Sequence, residues 1–290
     1  MARYCPRYAA TMKVDPMNHP VASRFIDRSR NVPLCIELIP HRGSCMSSKE
    51  TTEPCDGSLI SHLRAAEAYA AHAVDIPGFI APLLPYADKW GSLTVEARAD
   101  RFRLFHLPSV PKLQSLRLLV EHKSRISATV RSNFCEGLAP SLSVLDLRRV
   151  IVPLTSPIYH GLKQLILEGS KDTIRAGTTI ELLNALAQCP LLEKLHLRGV
   201  CFATGPPTAE HPTIALQHLQ FLRLSRLDAA LQGDILLSII APRTVRLWIS
   251  IHGEGTIEDV FPSSLNFQKS FPHVPVFAVY ASRLGLEVII

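Results

Sequence analysis

The chain has 290 residues, 47% of them hydrophobic and 19% charged, which allows a sizeable core and excludes a globally disordered protein. Its formal charge of +6 is concentrated at the start: residues 1–50 hold eight basic and four acidic side chains, leaving about +2 for the other 240. A basic excess gathered on a solvated N-terminal stretch is not the focused basic surface of a nucleic-acid binder, so nucleic acid is not the expected partner.

The seven cysteines, Cys5, Cys35, Cys45, Cys55, Cys135, Cys189 and Cys201, are odd in number and irregular in spacing. With no secretory signal in view, they point to a reducing, intracellular setting, cytoplasm or nucleus.

In chain order, residues 1–24 read as disordered. Residues 25–87 read as a strand, a polar loop and a helix that lead into the region from residue 88. Leu34, Ile36 and Leu38 alternate as in a half-buried strand. Residues 41–58 have loop composition, and "SLISHLRAAEAYAAHA" from Ser58 is helical by propensity. The most apolar window, Ala65 to Ala87, contains Glu67, His72, Asp75 and three prolines, all costly at a bilayer centre. It reads as a soluble helix followed by a loop, so no membrane association is expected.

Residues 88–290 read as one leucine-rich domain with a C-terminal cap. "LQSLRL" begins at Leu113, "LSVLDL" at Leu142, "LKQLIL" at Leu162, "LEKLHL" at Leu192 and "LQFLRL" at Leu219. Degenerate copies, "WGSLTV" from Trp90 and "TVRLWI" from Thr244, flank them. A single buried strand does not recur seven times at intervals of 20 to 30 residues, so the pattern is a repeat. Pro111, Pro140, Pro190 and Pro242 each stand two residues before a repeat's first position, where proline ends a helix and favours extended chain. Helical patterns lie between copies. Thr178 and Glu181 have capping-box spacing ahead of Ile180, Leu183 and Leu186 on one face, and Asp228 can cap "AALQGDILLSII". The β-prone tail "VPVFAVYASRLGLEVII" is expected to pair at the sheet edge and cap the last copy.

Over roughly residues 88–260 these motifs resemble leucine-rich repeat proteins. The resemblance implies an α/β fold: an irregular solenoid with a parallel concave sheet and convex helices. Where many such repeats carry Asn or Cys after the motif, this chain has Glu121, Val150, Ser170, Val200, Leu227 and His252, which implies distorted units with variable helices. More narrowly, "FIDRSRNVPLCIEL" (Phe25 to Leu38), "LAPSLSVLDL" and "CPLLEKLHLRGV" are similar to the F-box and leucine-rich repeat proteins abundant in mushroom-forming fungi. In that family an F-box docks on a Skp-type adaptor of a cullin ubiquitin ligase, and the repeats hold a target. Residues 1–24 do not match the F-box pattern L-P-x-E-[IL], so the resemblance is to the region that comes after it. It implies a non-enzymatic substrate-recognition scaffold. The alternative is a divergent family fragment that folds as a repeat domain without ligase function.

No G-x-S-x-G, H-E-x-x-H, Walker loop or G-x-G-x-x-G occurs, so no catalytic residue, metal ligand or cofactor is expected. His41, Cys45 and Cys55 lack the tight pairing of zinc ligands and read as a polar loop. "HGEG" from His252 reads as a turn, and Cys189 and Cys201 read as buried structural thiols.

Strand alternation then defines an outward face. If Leu195 and Leu197 enter the core, then Lys194, His196 and Arg198 face out. Applied to every copy, this yields three columns. The first is Ser92, Ser115, Val144, Gln164, Lys194, Phe221, Arg246. The second is Thr94, Arg117, Asp146, Ile166, His196, Arg223, Trp248. The third is Glu96, Leu119, Arg148, Glu168, Arg198, Ser225, Ser250. The candidate protein-binding residues are Arg117, Arg148, Lys194, His196, Arg198, Phe221, Arg223, Arg246 and Trp248. Arginine and tryptophan are enriched at interface hot spots, and the basic-aromatic half suits an acidic or phosphorylated protein segment. Pairing of the arginines with Asp146 and Glu168 is the competing expectation.

Overall fold

The structure, a computed structural model, describes residues 10–13, 32–38, 76–121, 127–130, 134, 139–169, 176–203, 212–242, 244–251, 278–282 and 285–289. The helix expected from Ser58, the 41–58 loop with its His and Cys residues, and the "HGEG" turn lie outside them.

Each leucine motif forms a short strand, and the strands join in one 11-stranded sheet. They are β1 (Ala10–Lys13), β2 (Leu34–Leu38), β3 (Trp90–Ala97), β4 (Ser115–Val120), β5 (Val144–Arg148), β6 (Gln164–Glu168), β7 (Lys194–Arg198), β8 (Phe221–Ser225), β9 (Arg246–Ile251), β10 (Ala278–Ser282) and β11 (Gly285–Ile289). From β1 to β9 the sheet keeps chain order and every pairing is parallel. Within residues 1–24, expected to be disordered, Ala10–Lys13 instead supplies the first strand and pairs with β2. The tail closes the other edge, with β11 antiparallel to β9 and β10 antiparallel to β11.

The core is a set of leucine rows running across the strands. Leu93, Leu116, Leu145, Leu165, Leu195, Leu222 and Leu247 are register partners in succession, and all are buried. Val95, Leu118, Leu147, Leu167, Leu197, Leu224 and Ile249 make the parallel row. Burial of such side chains, at roughly 25 cal/mol per Å² of apolar surface, is the main stabilising term.

The prolines do more than end helices. Pro111, Pro140 and Pro190 occupy the second position of a turn, in which the amide of Leu113, Leu142 and Leu192 donates to the carbonyl of Val110, Ala139 and Cys189 at 3.1, 2.9 and 3.0 Å. Proline presets the backbone angle that position needs. Leu219 closes onto Leu216 in the same way without proline, at 3.1 Å. The turns then stack: Gln164, Lys194, Phe221 and Arg246 each donate a backbone bond to the preceding turn, at Ser143, Lys163, Glu193 and Gln220.

Strand exits are equally regular. Arg149, Gly199 and Arg226, each just past a strand, have φ of 57°, 57° and 54°. The amides of Arg149 and Gly199 donate to Glu168 and Ser225 on the next strand. Only glycine enters this left-handed region without steric cost. Gly199→Ala, whose Cβ would sit 3.4 Å from the Gly169 carbonyl oxygen, is expected to lower stability by about 1 kcal/mol. Exposed Arg226→Gly is expected to leave it unchanged or raise it by up to about 1 kcal/mol. Urea unfolding midpoints of the two variants check the pair.

The connections depart from the expected strand–helix unit. Among the described residues only β6–β7 and β8–β9 are joined through longer α-helices, α2 (Thr179–Ala187) and α3 (Ala229–Ser238). A short α1 (Ile76–Ile80) runs into a 3-10 segment, Ala81–Lys89, ahead of β3 where a loop was expected. Between β5 and β6 a two-residue strand, Val150–Ile151, and one 3-10 turn, Pro157–Tyr159, stand in place of a helix. Both predicted caps form. Thr178 Oγ1 accepts from the Glu181 amide at 3.1 Å while Glu181 Oε2 accepts from the Thr178 amide at 2.7 Å, and Asp228 Oδ1 accepts from Ala230 at 3.0 Å. The buried stripe of α2 is rotated from expectation: Leu182, Leu183 and Leu186 are buried, and Ile180 is only half-buried. In α3, Gln232 is fully buried, and its Nε2 donates to the carbonyls of Leu227 and Ser250 at 3.2 Å each, tying the helix to β9.

Candidate protein-interaction face

Alternation along β3–β9 leaves one set of residues off the core. The register places the three columns side by side across the seven strands. β2 extends them, with Cys35 in register with Ser92 and Glu37 with Thr94. Neither is among the nine candidate residues, although the alternation of Leu34, Ile36 and Leu38 already implies both.

Charge on this face changes along the sheet. At the β2–β3 end stand Glu37 and Glu96. The middle is an ion-pair chain. Arg148 Nε and Nη2 donate to the two Asp146 carboxylate oxygens at 3.1 Å each. Arg148 also approaches Glu168 at 3.9 Å, and Arg198 Nη1 lies 3.3 Å from Glu168. Asp146 is 3% exposed, so its paired guanidinium is what makes a buried carboxylate tolerable. The Asp146 hydrogen bond and the nearby carboxylates hold the Arg148 pKa above its ordinary value against burial. Two of the nine candidate residues, Arg148 and Arg198, are therefore engaged within the protein. Arg117, exposed on β4, stands three strands from Lys194 and in register with Asp146 on the adjacent strand.

β7–β9 bring the others together. Their residues on this face are Lys194, His196, Arg198, Phe221, Arg223, Arg246 and Trp248, together with Ser225 and Ser250, which are buried, and no carboxylate is among them. The Lys194 ammonium lies 5.8 Å from the Phe221 ring centre, and the Arg223 guanidinium lies 4.3 Å from that of Trp248. Arg246 is exposed. Trp248 does not terminate the sheet, because β11 pairs beyond it.

His196 sits within these cations. Among the described residues its buried Nε2 has no hydrogen-bond partner. Burial, then Arg223, Lys194, Arg198 and Arg148, push its pKa down to about 4. The unfolded chain, with histidine near 6.5, therefore binds the proton more readily, and stability falls as pH drops from about 6.5 towards 4. Discounted for the partial exposure of the ring, this amounts to about 1 kcal/mol at pH 5. His196→Gln is expected to flatten that part of the stability–pH profile, read as urea midpoints at pH 5 and pH 7.5.

The cysteines divide. The buried Cys189 thiol donates to the Tyr159 carbonyl at 2.6 Å, and burial pushes its pKa up, as suits a structural thiol. Cys201, expected to be buried too, is exposed, because the chain has already left the strand. Among the described residues no group of three or more His, Cys, Asp or Glu could hold a metal ion, and no helix is long and apolar enough to cross a membrane. A cavity of about 20 Å³ beneath Tyr159 and Val152 has room for a single water.

No family model, no curated protein and no solved structure matches the chain.

Proposed function

We propose that this chain is an irregular leucine-rich repeat solenoid, with the parallel sheet on its concave side, that acts as a non-catalytic, intracellular protein-binding scaffold. Its outward face takes an acidic or phosphorylated segment of a target protein. By the resemblance carried by "FIDRSRNVPLCIEL" and the repeats, it supplies substrate recognition to a cullin ubiquitin ligase through a Skp-type adaptor. The observation that carries the reading is the unbroken parallel register from β3 to β9. It turns a recurring hexapeptide into a continuous surface and gathers Lys194, Phe221, Arg223, Arg246 and Trp248 on neighbouring strands. Extended surfaces built from stacked units are what repeat proteins use for binding.

Affinity purification of the tagged chain from its own cells, read by mass spectrometry, tests the ligase part. Adaptor and cullin are expected among the recovered proteins. Recovery of other partners without them would remove the ligase role and leave a plain binding module.

A further inference from the structure

We propose that β7–β9 bind a carboxylate-rich segment of the partner, in which separate Asp or Glu side chains meet Lys194, Arg223 and Arg246 while Phe221 and Trp248 pack against its apolar residues. This rests on the scaffold reading above and narrows it to one patch and one ligand chemistry.

Three features favour it. The first is confinement. The three strands present no outward carboxylate, and the one that borders them, Glu287 of β11, is in register with Ser250 rather than with Lys194, Arg223 or Arg246, whereas the middle of the face is neutralised by Asp146, Arg148, Glu168 and Arg198 and the far end carries Glu37 and Glu96. An acidic segment is attracted at one end and repelled at the other. The second is the spacing of the cations. Lys194 and Arg246 share a column two strands apart, roughly 10 Å between backbones, and Arg223 lies diagonally about 8 Å from each. The third is their direction. Lys194 leans onto Phe221 of the next strand and Arg223 onto Trp248 of the next, so the heads are drawn sideways onto different rings. A single phosphate needs donors that converge on one group. Cations held apart beside aromatic rings suit several carboxylates spaced along a chain with apolar residues between them.

Fluorescence anisotropy of the full chain tests this with three labelled peptides of about ten residues, long enough to cross the patch in extended form. One alternates Glu with Leu, one alternates Gln with Leu, and one carries a single phosphoserine among neutral residues. The Glu peptide is expected to bind at least about ten-fold more tightly than either other peptide, with affinity falling as salt rises. Lys194→Glu with Arg246→Glu is expected to reduce that binding by about ten-fold or more, and the milder Lys194→Gln with Arg246→Gln pair by less. Equal binding of the Glu and Gln peptides, tighter binding of the phosphoserine peptide, or Glu-peptide affinity unchanged in both double variants would each overturn the assignment. None of these would touch the scaffold reading, which fails only if the purified chain brings down no partner.

Discussion

Leu195→Ala is expected to destabilise the protein by about 2–5 kcal/mol, the range for emptying a fully buried leucine site. Leu195 is 0% exposed and is the fifth of the seven leucines in the row that runs from Leu93 to Leu247. Its register partners are Leu165 on β6 and Leu222 on β8. The lost atoms leave a cavity beneath neighbouring strands that the in-register backbone cannot close. If the chain is a stack of units, each stabilised by its neighbours, the damage has a second consequence. The halves on either side of β7 should partly uncouple, so that denaturant unfolding becomes less steep. Leu93→Ala, close to one end of the row, should cost a similar amount with little change in slope. Urea melts of both variants, fitted for midpoint and slope, distinguish a stack from a single cooperative core, in which both slopes would stay unchanged.

Arg148→Ala is the second large effect, expected at about 2–3 kcal/mol. Its guanidinium makes both hydrogen bonds to Asp146 and also reaches Glu168. Removing it strands a carboxylate that is 3% exposed, and the desolvation cost of that charge is no longer offset. Arg148 itself is 44% exposed on its side chain, which places the figure below the range for a fully buried pair. Arg148→Met combined with Asp146→Asn, which removes both charges, should recover most of the loss. Thermal melts of Arg148→Met, Asp146→Asn and the double variant, beside the unchanged chain, give the coupling. A double variant no more stable than Arg148→Ala would contradict the stranded-charge explanation.

Much of this architecture is legible in the sequence because successive strands of the parallel sheet use one physical rule many times. Alternating leucines place their neighbours on the opposite face, and parallel pairing in constant register carries that assignment from strand to strand. Thr178–Glu181 and Asp228 are readable for a similar reason: a cap is a local contact between residues three apart or closer. Other features depend on partners distant in the chain. "ATMK" in β1 alternates apolar and polar residues over only four positions, too few to mark a strand until Leu34–Leu38 offers an edge. Connections that carry no leucine rhythm give little warning that 3-10 turns replace helices. Arg149 and Arg226 accept a left-handed backbone because the adjoining strand end demands it, and nothing in the local composition signals that. The outward columns tell which side chains share the face. They do not tell that Arg148 and Arg198 are engaged by Asp146 and Glu168 while Lys194 and Arg223 lean onto aromatic rings, since that depends on side-chain directions across strands.

On this proposal the outward face of β7–β9 selects the partner. Affinity purification of the tagged wild-type chain beside a Lys194→Glu, Arg223→Glu, Arg246→Glu variant, quantified by mass spectrometry, tests it most directly. Adaptor and cullin are expected in equal amounts with both chains, while a distinct set of acidic target proteins is recovered with the wild type and depleted with the variant. Recovery of the same targets in the same amounts by a folded variant would contradict it and move recognition elsewhere on the molecule.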